Sequence, residues 1–184
     1  NQSIETNLYA CSKHISCTND RPTFCDFAES NLMGLFATDT GHIKTFHINP
    51  SSLQVDDMAE CFDPSLQPHF TPHAGRINCC RFFPSGKVIL SGGSDQRLKI
   101  WDCNNLTQPA VQFKGHRGGV LFCDFVGRGK QIVSASQDGC VRLWDVPSQK
   151  TTHVFGQLNY SAVYHCHVSK STHHSIDQAI ITSS

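Results

Sequence analysis

No apolar run in this 184-residue chain approaches the roughly 20 residues that a membrane-spanning helix requires, so no membrane partner is expected. None of its 10 cysteines forms a CxxC pair, which removes the spacing of zinc ribbons and thioredoxin-type sites. Charge is scarce and balanced, at 16% of residues with 15 Lys+Arg against 15 Asp+Glu. Such a chain gives no electrostatic reason to expect nucleic acid or acidic lipid as partner. No stretch carries sustained helical periodicity. A signal-peptide pattern is missing as well, although the chain opens on Asn1 rather than Met and is expected to be a piece of a longer protein.

What the sequence does contain is a repeat. HAGRINCCRFFPSGKVILSGGSDQRLKIWD at residues 73–102 has the layout of GHRGGVLFCDFVGRGKQIVSASQDGCVRLWD at residues 115–145. His73 and His116, Asp95 and Asp138, and Trp101 and Trp144 are each 43 residues apart. One offset shared by three residue types marks a duplicated structural unit, and this period belongs to propellers, solenoids or arrays. Within the first copy, Ile77 to Phe83 reads as an apolar strand closed by the turn Pro84-Ser85-Gly86. Val88 to Ser91 follows, then a turn from Gly92 to Gln96, then Leu98 to Trp101, then Val111 to Phe113. Short Val-, Ile- and Phe-rich runs separated by Gly, Pro, Ser and Asp predict antiparallel sheet. The fold class is all-β.

A weaker unit precedes these two. Phe24 to Phe27, Leu35 to Ala37 and Ile43 to Phe46 match the first three strands, with Phe46 at the Trp position and Thr40 at the position of Asp95 and Asp138. Ala162 to Val168 begins a fourth unit that fades into polar sequence. The division expected is 1–20 as a strand segment of a preceding unit, 21–66 as a degenerate unit, 67–113 and 114–156 as full units, and 157–184 as the start of a degenerate one.

The Gly115-His116 and Trp144-Asp145 pairs, with Trp101-Asp102 repeating the second, resemble the WD40 β-propeller. That resemblance implies a buried hydrogen-bonded set in each blade: His73, Ser91, Asp95 and Trp101, then His116, Ser134, Asp138 and Trp144. It also implies a partial propeller, about three blades plus flanking strands of a ring of about seven. The alternative use of His, Asp and Ser is a hydrolytic triad, but the set recurs once per repeat. The filling Asn78-Cys79-Cys80-Arg81-Phe82-Phe83-Pro84-Ser85-Gly86, with Leu90-Ser91-Gly92-Gly93 and Phe113-Lys114-Gly115-His116, is similar to the proteasomal ATPase-associated factor family. That similarity implies a non-catalytic partner of an AAA ATPase subunit in the proteasome regulatory particle, acting as an assembly chaperone or regulator without a cofactor.

Propellers bind partners on rims built from inter-strand loops. Arg76, Ser94, Arg97, Arg117, Gln137 and Arg142 lie at or near such loops and strand ends, and arginines suit acidic groups or a C-terminal carboxylate. His165-Cys166-His167 and His173-His174 raise the question of a metal, but no third and fourth ligands are specified, and no metal site is expected. Gly127-Arg128-Gly129-Lys130 lacks the full phosphate-loop spacing and reads as a hairpin turn. Asp56-Asp57, placed in a long loop, lacks the spaced carboxylates of a calcium site. Cys25, Cys79, Cys123 and Cys140 fall in strand-like runs, where free Cys behaves as a small buried hydrophobe, so a reduced cytoplasmic or nuclear setting is expected. The rival functions are another WD40 adaptor, such as a ubiquitin-ligase substrate receptor or an RNA-processing scaffold, and, more remotely, a metal-dependent hydrolase.

Overall fold

The computed structural model describes residues 21–28, 32–48, 55–60, 72–105, 107–127, 129–156, 161–168 and 179–182. The described secondary structure is β-strand with turns and no helix. Three four-stranded antiparallel sheets follow the chain in order. The first contains β1 (Pro22–Ala28), β2 (Met33–Thr38), β3 (Ile43–Ile48) and β4 (Val55–Glu60). The second contains β5 (Ile77–Phe82), β6 (Val88–Gly93), β7 (Arg97–Asp102) and β8 (Val111–Lys114). The third contains β9 (Val120–Val126), β10 (Gln131–Ser136), β11 (Val141–Asp145) and β12 (Lys150–Phe155). A two-stranded sheet, β13 (His165–Val168) with β14 (Ala179–Thr182), begins the next unit. This is the all-β architecture of part of a WD40 propeller.

Equivalent positions take equivalent partners. Ile89 pairs with Trp101 across β6 and β7, and Ile132 pairs with Trp144 across β10 and β11. The sheets then stack through buried apolar faces. Between the first and second lie Leu35, Ile43, Ile77, Cys80, Ile89 and Trp101. Cys79, Leu90, Leu98, Phe113, Ile132 and Trp144 are buried between the second and third. Phe122, Val133, Val141 and Val163 pack with Cys166 of β13. Each fully buried large side chain contributes about 1.5–3 kcal/mol, so the interfaces between sheets hold the stack together.

The leading strands β1, β5, β9 and β13 adjoin one another, and side chains satisfy their unpaired backbone groups. Thr23 donates to the Ile77 carbonyl (2.5 Å) and the equivalent Asn78 donates to the Val120 carbonyl (2.7 Å). Asp26 accepts from the Phe82 N–H at 2.8 Å and from the Arg81 guanidinium at 3.3 Å.

Several expectations change in detail. β6 runs through Gly92 and Gly93 rather than turning there. Glycine at residue 92 reflects crowding, since a Cβ would stand 2.6 Å from Val120 Cγ1 and 2.7 Å from Cys79 Sγ. The turn contracts toward Gln96, at φ 66°. β5 ends at Phe82, with Gly86 at φ 67° in the turn that follows. Asp56 and Asp57 are not in a loop but in β4, where a strand at the sheet's edge tolerates charge. Gly127, Gly129 and Lys130 lie in the turn between β9 and β10, with both glycines at positive φ, and Arg128 lies outside the described residues. His173 and His174 lie outside the described residues.

Candidate functional site

The two full sheets carry the same polar chain. Trp101 donates its indole N–H to Ser91 Oγ (2.8 Å), Ser91 meets His73 Nε2 (2.7 Å), and His73 Nδ1 meets Asp95 (2.8 Å). In the third sheet Trp144 donates to Ser134 (2.8 Å), Ser134 meets His116 Nε2 (2.7 Å), and His116 Nδ1 meets Asp138 (2.9 Å). An ionised carboxylate only accepts, so each histidine carries its proton on Nδ1 and each serine hydroxyl donates to Nε2. Burial lowers both histidine pKa values, against the pull of Asp95 and Asp138, so both rings are neutral near pH 7.

The carboxylates also hold backbone. Asp95 accepts from the N–H groups of Ala74 (3.4 Å) and Arg97 (3.3 Å). Asp138 accepts from those of Arg117 (2.9 Å) and Cys140 (3.0 Å). One quartet therefore ties the loop leading into a sheet to the sheet's second and third strands and to the turn between them. Ser and His next to Asp have the connectivity of a hydrolytic triad. Here, however, Ser91 and Ser134 are fully buried and their oxygens already accept a Trp N–H, so neither presents a nucleophile to a substrate.

The first sheet replaces the quartet with apolar packing. Phe36 occupies the register of Ser91, and Phe46 that of Trp101. The Phe46 ring lies over Gly34, where a Cβ would fall 2.1 Å from its Cζ. Thr40 takes the aspartate position and contacts His42 Nδ1 (3.0 Å) and Thr38 Oγ1 (2.9 Å).

Cations cover both tryptophans, an arrangement not read from the sequence. Lys99 Nζ lies 5.8 Å from the Trp101 ring and Arg142 Cζ 5.9 Å from that of Trp144. Lys99 Nζ also donates to the Pro72 carbonyl and lies 3.5 Å from Asp95. The signal was available, because each cation stands two residues before its Trp and strand side chains two apart share a face. The Asp26–Arg81 pair between sheets had no such signal, its partners being 55 residues apart.

Of the expected rim residues, Arg76, Ser94, Arg117 and Gln137 are exposed, whereas Arg97 and Arg142 are partly buried at the starts of β7 and β11. The exposed ones adjoin. Ser94 N–H donates to the Arg76 carbonyl (2.8 Å), and Gln137 N–H donates to that of Gly119 (2.9 Å). Gly119 N–H donates to Gln137 Oε1 at 3.3 Å. In β13, the His165 ring lies 4.1 Å from that of Phe122, tilted by 47°. Among the described residues, no group of three or more His, Cys, Asp or Glu side chains is placed to hold a metal ion.

Blades pinned by His–Ser–Trp–Asp quartets define the class: residues 64–102 and 107–145 match the family described as "WD domain, G-beta repeat", and the chain carries two WD40 repeats. A stretch of 42 residues is 40% identical to the "POC1 centriolar protein homolog" of Drosophila melanogaster. That similarity covers 23% of this chain and 11% of the fruit-fly protein.

Proposed function

We propose that this chain is a non-catalytic protein-interaction scaffold that binds an AAA ATPase subunit of the proteasome regulatory particle and regulates its assembly. The observation that carries the reading is the exposed rim. Arg76, Ser94, Arg117 and Gln137 are held by backbone bonds on stacked sheets that the quartets pin internally. A rigid scaffold presenting adaptable polar loops is the usual construction of a recognition surface. The Asn78–Gly86 filling, similar to the proteasomal ATPase-associated factor family, directs the choice of partner. In this mechanism the rim holds an ATPase domain and blocks premature docking until neighbouring subunits displace it. The setting is cytoplasmic or nuclear, in keeping with buried thiols at Cys79, Cys123 and Cys166.

The similarity to a centriolar protein over 42 residues favours a second reading, a WD40 adaptor in a different assembly. Affinity capture from cells separates the two. Recovery of proteasomal ATPases in stoichiometric amount supports the first, and capture of another assembly without them supports the second.

A further inference from the structure

We propose that the loop end of the second and third sheets is a docking surface for an acidic peptide segment, whose Asp and Glu side chains lie along the line from Arg76 to Arg117. This inference rests on the reading of the chain as a protein-interaction module and names the chemistry of its partner.

The surface is continuous across two sheets. The loops entering β5 and β9 and the turns β6–β7 and β10–β11 all lie at this end. Ser94 is bonded to Arg76. A Cβ on Gly119 would stand 3.4 Å from Ser94 Cα and 3.0 Å from Gln137 Oε1, so the second sheet's turn touches the third sheet's loop. Gly118 leaves no room for a side chain, because its Cβ would meet the Asp138 backbone nitrogen at 2.7 Å. Residues 118 and 119 therefore put no side chain between the two arginines, and Ser94 and Gln137, both exposed, border that stretch.

Charge selects the partner. Although the whole chain is neutral, this end of the two sheets carries Arg76, Arg97, Lys99, Lys114, Arg117 and Arg142 against Asp95 and Asp138. Both carboxylates face inward, each accepting from a histidine and two backbone N–H groups. Among the described residues, neither Arg76 nor Arg117 forms an ion pair with a carboxylate. The opposite end is nearer balance, with Lys87, Lys130 and Lys150 against Asp102 and Asp145. Cations spread over two sheets suit a run of acidic side chains better than one terminal carboxylate. Single-stranded nucleic acid needs stacking platforms, and Ser94, Gly118, Gly119 and Gln137 between the arginines offer no ring.

The test is fluorescence anisotropy of a labelled glutamate-rich 10-mer titrated with the full chain. Saturable binding that weakens with salt, survives amidation of the peptide's C-terminus and falls about tenfold or more in R76E/R117E is expected, with K87E/K150E at the opposite end unchanged. If charge reversal prevents folding, R76Q/R117Q replaces it, with circular dichroism as the check. No saturable binding, loss of binding on amidation, or equal or tighter binding of an oligonucleotide of the same charge overturns the proposal. Capture of proteasomal ATPases by wild type and R76E/R117E alike overturns this rim while leaving the proposed function standing. Peptide binding without ATPase capture does the reverse.

Discussion

Trp101 and Trp144 occupy equivalent surroundings. Each donates its indole N–H over 2.8 Å to a buried serine, each lies under a cation within 6 Å, and each pairs with an isoleucine across the strand. Equivalent surroundings imply equivalent energetics, which makes the quartets testable as a pair.

Ser91→Ala and Ser134→Ala each strip a partner from a buried Trp N–H and a buried imidazole nitrogen. Each is expected to cost about 1–3 kcal/mol, with the two values agreeing within about 1 kcal/mol. Urea unfolding measures both. A near-zero cost for either would remove the quartet from the forces holding its sheet.

The histidines give the chain an acid limit. Burial depresses His73 and His116 below 6.5 despite Asp95 and Asp138, with Lys99 and Arg97 near the first and Arg142 near the second adding to the depression. Below about pH 6.5 the unfolded chain binds the extra protons, so stability is intact above that pH and declines as pH falls toward the depressed folded values. Burial alone would raise the aspartates, but their bonds outweigh it and hold both below 3.8. Their contribution is present above about pH 3.8 and disappears only as pH drops through the folded values. The melting temperature should therefore fall between pH 7 and 5, before the carboxylates titrate. A flat profile over that range would contradict a neutral buried pair.

Gly34→Ala should destabilise the first sheet by about 1–3 kcal/mol, because the added methyl meets the Phe46 ring at 2.1 Å. The penalty should shrink in a Phe46→Leu background. A double-mutant cycle by thermal unfolding reads the coupling directly, and strict additivity would refute the contact.

Native-state alkylation followed by mass spectrometry should mark Cys25, which is exposed, and spare Cys79, Cys80, Cys123 and Cys166. Burial pushes Cys166 up to about 12 and Cys123 well above the ordinary thiol range, and a thiol without thiolate is a poor nucleophile. Rapid labelling of Cys123 in the folded chain would show that the second and third sheets do not stay packed.

The repeat and the all-β class were legible because they are local or periodic, whereas the quartets were expected only through the resemblance to the WD40 propeller. A fixed offset of 43 residues survives in one dimension, and strand and turn preferences act over a few residues. Gly92 and Gly93 misled because glycine signals a turn locally, whereas here it relieves crowding, by Val120 of β9 and Cys79 of β5 at Gly92 and by the His73 ring at Gly93. Asp56 and Asp57 misled because an outer strand needs no apolar alternation to pair with its neighbour. Tertiary structure alone decided which arginines are surface groups. Arg97 and Arg142 read like Arg76 and Arg117 in the sequence, yet Arg142 lies over an indole and Arg117 remains exposed. A side chain's exposure depends on what the next sheet places beside it, and no sequence window contains that neighbour.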